Sequence, residues 1–282
     1  MVYREILETA VRAADAGASE LRQRFRISGL EVRRKEENDP VTSADEASEA
    51  AILEVIRGRF PDHEILAEER GLENPGGHLQ WVVDPLDGTN NFVQGLPMFS
   101  ISIACLEEGA PVAAVVLDPI HDERYTATRG GGAFLDGEPL RVSKRPGLKG
   151  AFLATGYPFR AHEALDLYLE IFREVLIRCR GIRRCGSAAL DLSYTAAGVY
   201  DGFFEFRLSP WDIAAGVLLI REAGGRVSDL DGGGEFLSRG NVLAGSEGVW
   251  QHLREIVSPR ATETILEELE GRSTSGEAAV AR

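Results

Sequence analysis

The stretch Trp81–Phe92 reads WVVDPLDGTNNF, and it decides how the rest of the chain is interpreted. It begins as a short apolar run, which is typical of a buried strand and is expected to stop at Asp84-Pro85. Two carboxylates, Asp84 and Asp87, then stand three residues apart. Gly88 opens a turn in which backbone N–H groups can bind an anion. The stretch therefore predicts a site that holds cations and a phosphate side by side.

The composition indicates a globular protein and argues against several classes of function. With 44% hydrophobic and 27% charged residues in a chain of 282, a substantial core can form. A formal net charge of −14 argues against non-specific binding to nucleic acid. Three cysteines without CxxC spacing predict free thiols in a reducing compartment. Because the N-terminus lacks a signal-peptide pattern and no apolar run could span a bilayer, we expect a cytoplasmic protein without membrane contact.

Helical periodicity and capping residues predict the main helices. Apolar residues at helical spacing predict a helix over 3–25. Ser43 and Glu46 match a capping box, from which a second helix would run to about Phe60. A further helix is expected near 161–178, and another is predicted to begin after Ser209, where a proline follows the capping residue.

Short apolar segments between these helices predict strands. Residues 99–106 and 111–117 are separated by Glu-Glu-Gly-Ala and predict a β-hairpin. Further strands are expected at 64–67, 151–155 and 203–206. Because antiparallel strands are interspersed with βα units, the order predicts an α+β fold with helices layered between sheets.

Acidic residues stand at the predicted ends of several elements, where α/β folds tend to bind ligands. Their oxygen ligands, without neighbouring His or Cys, are of the kind that Mg²⁺ prefers. Bound cations would also reverse the local charge, so that an acidic protein could hold a phosphate ester. Taken alone, the two acids of the Asp-Pro-x-Asp-Gly string are equally explained as turn residues, and each of the other acids is better explained as a helix-dipole partner, a first-turn acid or a solvated loop end. The residues concerned are Asp45, Glu68, Asp84, Asp87 and Asp212.

Two long motifs connect these acids to a known family. The stretch quoted first is similar to one signature of the inositol monophosphatase family, and WDIAAGVLLIREAGG at Trp211–Gly225 resembles the second. Shorter matches occur in the expected order at 40–45 (PVTSAD), 67–69 (AEE), 181–189 (GIRRCGSAA) and Glu205. The resemblance covers about residues 3–258.

The resemblance implies a five-layered αβαβα sandwich, the fold shared with fructose-1,6-bisphosphatase. It also implies lithium-sensitive, Mg²⁺-dependent hydrolysis of small phosphate monoesters with two or three ions per site, usually in a homodimer. One domain would span 1–260, with most metal ligands in 1–145 and the substrate contacts plus one ligand in 146–260. Beyond the resemblance, the residues at 261–282 themselves predict a C-terminal helix or a disordered tail.

The resemblance also assigns roles to individual residues. The implied metal ligands are Glu68, Asp84, the Leu86 carbonyl, Asp87 and Asp212. The implied substrate contacts are Asp87, Gly88, Thr89, Gly186, Ala188 and Glu205. Catalysis would use Glu68 and Thr89 to position the attacking water, with Asp45 supporting Thr89.

Three functions are compatible with these roles. The favoured one is hydrolysis of myo-inositol 1-phosphate to inositol and phosphate, with no nucleic acid as substrate. The second is a fructose-1,6-bisphosphatase or a sugar phosphatase of dual specificity. The third is a non-catalytic regulatory or binding protein on the same fold, because some family members are suspected of acting with RNA-processing or transcription partners.

Overall fold

The computed structural model describes residues 2–27, 32–36, 39–158 and 165–260. The helices are α1 (Val2–Arg24), α2 (Ser43–Arg59), α3 (Thr89–Gln94), α4 (Leu165–Leu176), α5 (Ala188–Ala196), α6 (Pro210–Glu222), α7 (Phe236–Arg239) and α8 (Glu247–Val257). The strands of the first half are β1 (Val32–Glu36), β2 (Asp39–Thr42), β3 (Glu64–Ala67), β4 (Gly71–Glu73), β5 (Leu79–Asp87), β6 (Ser100–Glu107), β7 (Ala110–Asp118), β8 (Glu123–Thr128), β9 (Gly132–Leu135) and β10 (Glu138–Pro139). The second half contributes β11 (Phe152–Thr155), β12 (Gly181–Arg183), β13 (Gly202–Glu205), β14 (Arg226–Ser228) and β15 (Val242–Gly245).

Two sheets carry the architecture. The larger has eight strands in the order β10-β9-β8-β7-β6-β5-β3-β4, and β3 and β5 are its parallel pair. The smaller has five strands in the order β12-β11-β13-β15-β14, in which β11 runs parallel to both of its neighbours. β1 and β2 form a separate antiparallel hairpin.

Alternating side chains of β5 show how the layers are stacked. Trp81 and Val83 face a core shared with α1 and α2, whereas Val82 faces a core shared with α5 and α6. That second core also receives Phe203 from the smaller sheet, so α5 and α6 lie between the two sheets. A third core joins α4 and α8 to the outer face of the smaller sheet, around Tyr168 and other buried side chains. The order of layers is αβαβα, and the predicted fold is confirmed.

The start of α2 lies one residue earlier than predicted. Thr42, not Ser43, is the N-cap, and its Oγ1 accepts a hydrogen bond from the Ala44 N–H at 3.0 Å. Asp45, not Glu46, completes the capping box by accepting the Thr42 N–H at 2.8 Å. Thr42 with Asp45 and Ser43 with Glu46 both have the spacing of a capping box. The extended backbone at Thr42 (φ −122°, ψ 165°) shows that Thr42 is the residue before the first helical one. The correction matters because it fixes the Asp45 carboxylate in a buried position.

The strand that carries the first motif also differs from the prediction. β5 does not stop at Asp84 but continues through Pro85 to Asp87. Asp84 pairs with Ser102 and Asp87 pairs with Ser100, so β5 contains one extra residue relative to β6. A bulge tolerates a proline because the residue there need not donate to the ladder.

Other differences are small. The predicted hairpin at 99–117 and the helix over 3–25 are confirmed as β6–β7 and α1. The helix expected near 161–178 is observed as α4, and its predicted first residues, like the predicted tail at 261–282, lie outside the described residues. In the described part of the chain, no helix is both long and apolar enough to cross a membrane.

Candidate active site

The end of β5 and the turn after it place several polar groups against one another. The Leu86 N–H donates to Asp84 Oδ1 at 2.9 Å, and the Thr89 hydroxyl lies 3.0 Å from the Leu86 carbonyl oxygen. Gly88 adopts the left-handed region, with φ 98°. A Cβ at that position would lie 3.0 Å from the Met98 carbonyl oxygen and 3.1 Å from that of Gly186, so the turn requires glycine.

Helix α6 brings a third acid to this turn from the other half of the chain. Asp212 stands in its first turn and accepts the Ser209 N–H at 2.6 Å, as the predicted helix start requires. One carboxylate oxygen from each of Asp84, Asp87 and Asp212 lies within 4.8 Å of the others. A set of carboxylate oxygens this close is of the type that binds hard divalent cations.

The negative charges of these carboxylates repel one another. Burial raises the pKa of Asp84 well above its ordinary value of 3.8, and the charges of Glu68, Asp87 and Asp212 raise it further. Burial likewise raises the pKa of Asp87 to about 6. The acids therefore retain protons that isolated carboxylates would release, and a bound cation would relieve the repulsion. The donor set and its electrostatics both fit Mg²⁺.

Glu68 reaches the same cleft from the end of β3. Its backbone N–H donates to the Val83 carbonyl oxygen at 3.1 Å, which continues the pairing of β3 with β5 beyond the strand itself. Its charge also contributes to the raised pKa of Asp45 and Asp84. All five predicted metal ligands line this cleft, and their roles as ligands remain predictions.

Asp45 and Thr89 form the pair that the resemblance implied. The Thr89 hydroxyl donates to Asp45 Oδ1 at 3.0 Å, and Asp45 Oδ2 accepts the Thr42 hydroxyl at 2.6 Å. Burial raises the pKa of Asp45 to about 6, although its hydrogen bonds act in the opposite direction. The Thr89 side chain is thereby fixed at the first residue of α3.

Asp87 joins the two halves of the molecule. Its Oδ2 accepts the Ser187 hydroxyl at 2.5 Å and the Ala189 N–H at 2.8 Å, and its Oδ1 lies 3.3 Å from the Ala188 nitrogen. A carboxylate at the N-terminus of α5 also interacts favourably with the helix dipole. Asp87 therefore connects β5 to the start of α5 and is also a predicted metal ligand.

Glu205 closes the cleft on the side of the smaller sheet. Burial raises its pKa well above the ordinary value, with a further contribution from Asp191 and opposition from Arg184. Gly156 directly follows β11 and lies against the Glu205 side chain. A Cβ at position 156 would lie 1.6 Å from Glu205 Oε1. The predicted substrate residues Gly186, Ala188 and Glu205 all line the cleft.

Two cleft residues were not predicted as functional. Asp191 is buried in α5, and its Oδ1 has no hydrogen-bond partner among the described residues. Arg184 lies at the rim, with its guanidinium 5.5 Å from the centre of the Tyr157 ring. Helical spacing could have found Asp191, because it follows Ala188 by three residues and so lies on a neighbouring part of the helix.

Gly156→Ala should disturb the substrate side of the cleft without breaking the fold. The added methyl group displaces the Glu205 carboxylate, so we expect KM for the preferred ester to rise about 10-fold, the scale of a lost polar contact. The matched control is Gly58→Ala in α2, where an added Cβ meets nothing within 4 Å. Steady-state kinetics on both variants checks this, and an unchanged KM for Gly156→Ala would contradict it.

The arrangement of these residues agrees with comparison to known proteins. A family model described as the inositol monophosphatase family matches residues 2–270. The chain belongs to this family. Both the resemblance indicated by the two motifs and the layered fold are therefore confirmed. Members of the inositol monophosphatase family generally use Mg²⁺, which agrees with the acidic cluster.

Relatives within the family carry two kinds of name. The Nus factor SuhB of Pseudomonas aeruginosa is 47% identical over 260 residues, covering 90% of this chain and 96% of that protein. The solved structure of the extragenic suppressor protein suhB from Bartonella henselae has a TM-score of 0.86 at 40% identity, covering 90% and 98% of the two chains. An inositol monophosphatase from Anabaena (Nostoc) has a TM-score of 0.83 at 36% identity, covering 92% and 97%. Family membership thus indicates a phosphatase fold, and the names leave the activity open.

Proposed function

We propose that this chain is a Mg²⁺-dependent phosphatase that hydrolyses a small phosphate monoester, with myo-inositol 1-phosphate as the preferred substrate. The observation that carries the proposal is the convergence of three carboxylates beside the Gly88–Thr89 turn. Asp84, Asp87 and Asp212 come from both halves of the chain to within 4.8 Å. Repulsion among buried acids is costly, and a function that requires a cation accounts for it.

The chain's own residues would bind, orient and position the reactants. Two or three Mg²⁺ ions, held by the acids and the Leu86 carbonyl, would supply a water of lowered pKa and offset charge on the departing alkoxide. The first backbone N–H groups of α3 have no partner within the helix and would hold phosphate oxygens. Glu68 and Thr89 would orient the water, and Asp45 fixes the Thr89 hydroxyl at 3.0 Å.

The alcohol side of the cleft favours a polyol. Glu205 and Asp191 are buried acids that can accept hydrogen bonds from hydroxyl groups. A second phosphate on the substrate would meet these acids and lose affinity by like-charge repulsion. Arg184 and Arg207 also line the cleft, and their positive charges would attract a second phosphate. Fructose 1,6-bisphosphate is therefore the second candidate substrate.

Phosphate release from several esters tests the proposal. With millimolar Mg²⁺, we expect kcat/KM for inositol 1-phosphate to exceed that for fructose 1,6-bisphosphate by about 10-fold or more, a typical effect of one mismatched polar group. A reversed order would shift the assignment to the sugar phosphatases. The absence of release from every ester would contradict a catalytic function.

A regulatory function is a second candidate, because relatives at 47% and 48% identity are named Nus factors. Those names give no support to the prediction that no nucleic acid is a substrate. The complete set of acids favours retained turnover, because a purely regulatory protein would have no need of repelling charges in its cleft. The homodimer and the cytoplasmic location likewise stay predictions.

A further inference from the structure

Helix α2 has a buried polar face of three side chains directed at the site. Asp45, Ser48 and Glu49 follow the spacing of one helix face and are no more than 1% exposed. Asp45 accepts the hydrogen bond of the Thr89 hydroxyl at 3.0 Å. The other two have no role in the chemistry proposed so far.

Ser48 contacts the strand that carries two of the acids. Its hydroxyl donates to the Pro85 carbonyl oxygen at 2.8 Å, inside the bulge between Asp84 and Asp87. Gly17 on α1 allows this approach, because a Cβ there would lie 2.7 Å from Ser48 Oγ. The hydrogen bond from Ser48 therefore fixes the β5 bulge against α2.

Glu49 contacts the turn that carries Glu68. Its Oε2 accepts the Glu69 N–H at 2.8 Å, and its Oε1 faces Arg70 Nε at 3.3 Å. Arg70 is 45% exposed at its side chain, whereas the Glu49 side chain is 1% exposed. The carboxylate thus fixes the backbone immediately after Glu68 from the protein interior.

Stability alone does not explain an acid at position 49. Burying a carboxylate is costly, and the charge of the neighbouring Glu68 opposes it as well. The neighbouring buried positions of α2, Ile52 and Leu53, are apolar and pack in the core below the larger sheet. A buried acid beside other acids is better explained by the backbone that it holds in place.

We propose that Glu49 is a positioning residue, which holds the Glu69 backbone and so keeps the Glu68 side chain in the cleft that Asp84, Asp87 and Asp212 also line. The inference deepens the proposed function and rests on it, because it treats Glu68 as a metal ligand. Outer partners of metal ligands commonly contribute 10- to 100-fold in metal affinity. Ser48 would act in the same way on the bulge of β5.

Mg²⁺ binding measured by titration calorimetry on three variants tests the inference. Glu49→Ala removes the acceptor, and Glu49→Asp keeps the charge but is too short to reach the Glu69 N–H. We expect both to weaken Mg²⁺ binding about 10-fold, whereas Glu49→Gln, which keeps an acceptor at full length, should stay within about 3-fold of the parent. Glu54→Ala, on the exposed side of the same helix, is the matched control and should bind as the parent does.

Each outcome decides the matter. Unchanged Mg²⁺ affinity in Glu49→Asp would overturn the inference, as would a weakening in Glu49→Gln equal to that in Glu49→Asp. If Glu49→Ala does not fold, the comparison of Asp with Gln carries the test alone. A merely structural role would lower the melting temperature without changing the affinity of the folded protein. Because the readout is binding, failure of the inference is distinguishable from failure of the proposed function, which phosphate release by the parent decides.

Discussion

Asp84→Asn is expected to lower kcat/KM for the preferred phosphate ester by about 1,000-fold or more. A metal site is worth several kcal/mol of transition-state charge stabilisation, and about 4 kcal/mol corresponds to this factor. Asparagine retains an oxygen that can accept the Leu86 N–H, now at 2.9 Å from Asp84 Oδ1, so the end of β5 should keep its shape. It loses the negative charge that a divalent cation needs.

Phosphate release with increasing Mg²⁺, together with far-UV circular dichroism, checks this expectation. Asp62→Asn is the matched control, because Asp62 is an exposed aspartate outside the cleft. It should leave both measurements unchanged. An Asp84→Asn variant that turns over substrate at a tenth of the parent rate or more would show that Asp84 is not an essential ligand.

Much of this site could be predicted because its acids stand at the ends of regular elements. Asp87 ends β5, Asp84 stands three residues before that end, and Asp212 lies in the first turn of α6. Such positions are recognisable from the change between apolar runs and turn residues. The two long motifs then placed these residues in one family and so in one fold.

Other features depend on contacts that no local pattern contains. The bulge in β5 follows from its pairing with β6, and neither strand alone specifies it. The bond between Asp87 and Ser187 joins residues 100 positions apart. Asp191 enters the cleft only because α5 lies between the two sheets. These features are set by tertiary packing, which overrides local preference.

The polar face of α2 shows the same limit in another form. Polar residues in an amphipathic helix are ordinarily assigned to its exposed side. Ser48 and Glu49 nevertheless lie on the buried side, because polar backbone groups of Pro85 and Glu69 face them. A buried polar residue is informative because it has to be hydrogen-bonded to persist there.

Without Mg²⁺, the folded chain is expected to lose stability as the pH rises from 5 to 8. Burial raises the pKa of Asp45 and of Asp87 from the ordinary 3.8 to about 6, so the folded state binds more protons than the unfolded state in the lower part of this range, up to about pH 6. Stability then falls with rising pH, because the slope follows the protons bound by the unfolded state minus those bound by the folded state. Asp84, Asp191 and Glu205, whose pKa values are also raised by burial, extend the loss to higher pH.

This loss of stability should produce a readily measurable fall in melting temperature. Between pH 5 and its pKa of about 6, each of these two carboxyls contributes a loss of about 1.4 kcal/mol, or about 3 kcal/mol together, and 1 kcal/mol changes the melting temperature of a chain this size by about 2–4 °C. We therefore expect the melting temperature in EDTA to fall by about 10 °C between pH 5 and pH 8. Mg²⁺ at about 100 times its dissociation constant adds about 2.7 kcal/mol, and the gain should be larger at pH 8, where protons compete less for the ligands.

Scanning calorimetry at four pH values, with EDTA or Mg²⁺, separates these contributions. Asp191→Asn is a useful variant, because Asp191 Oδ1 has no hydrogen-bond partner among the described residues and its pKa is raised mainly by burial. Removing that charge should raise the melting temperature in EDTA at pH 8 more than at pH 5. A melting temperature in EDTA that rises with pH would mean that the carboxylates are stabilised by the fold rather than opposed by it. In that case, the cluster would not need a cation to offset its charge.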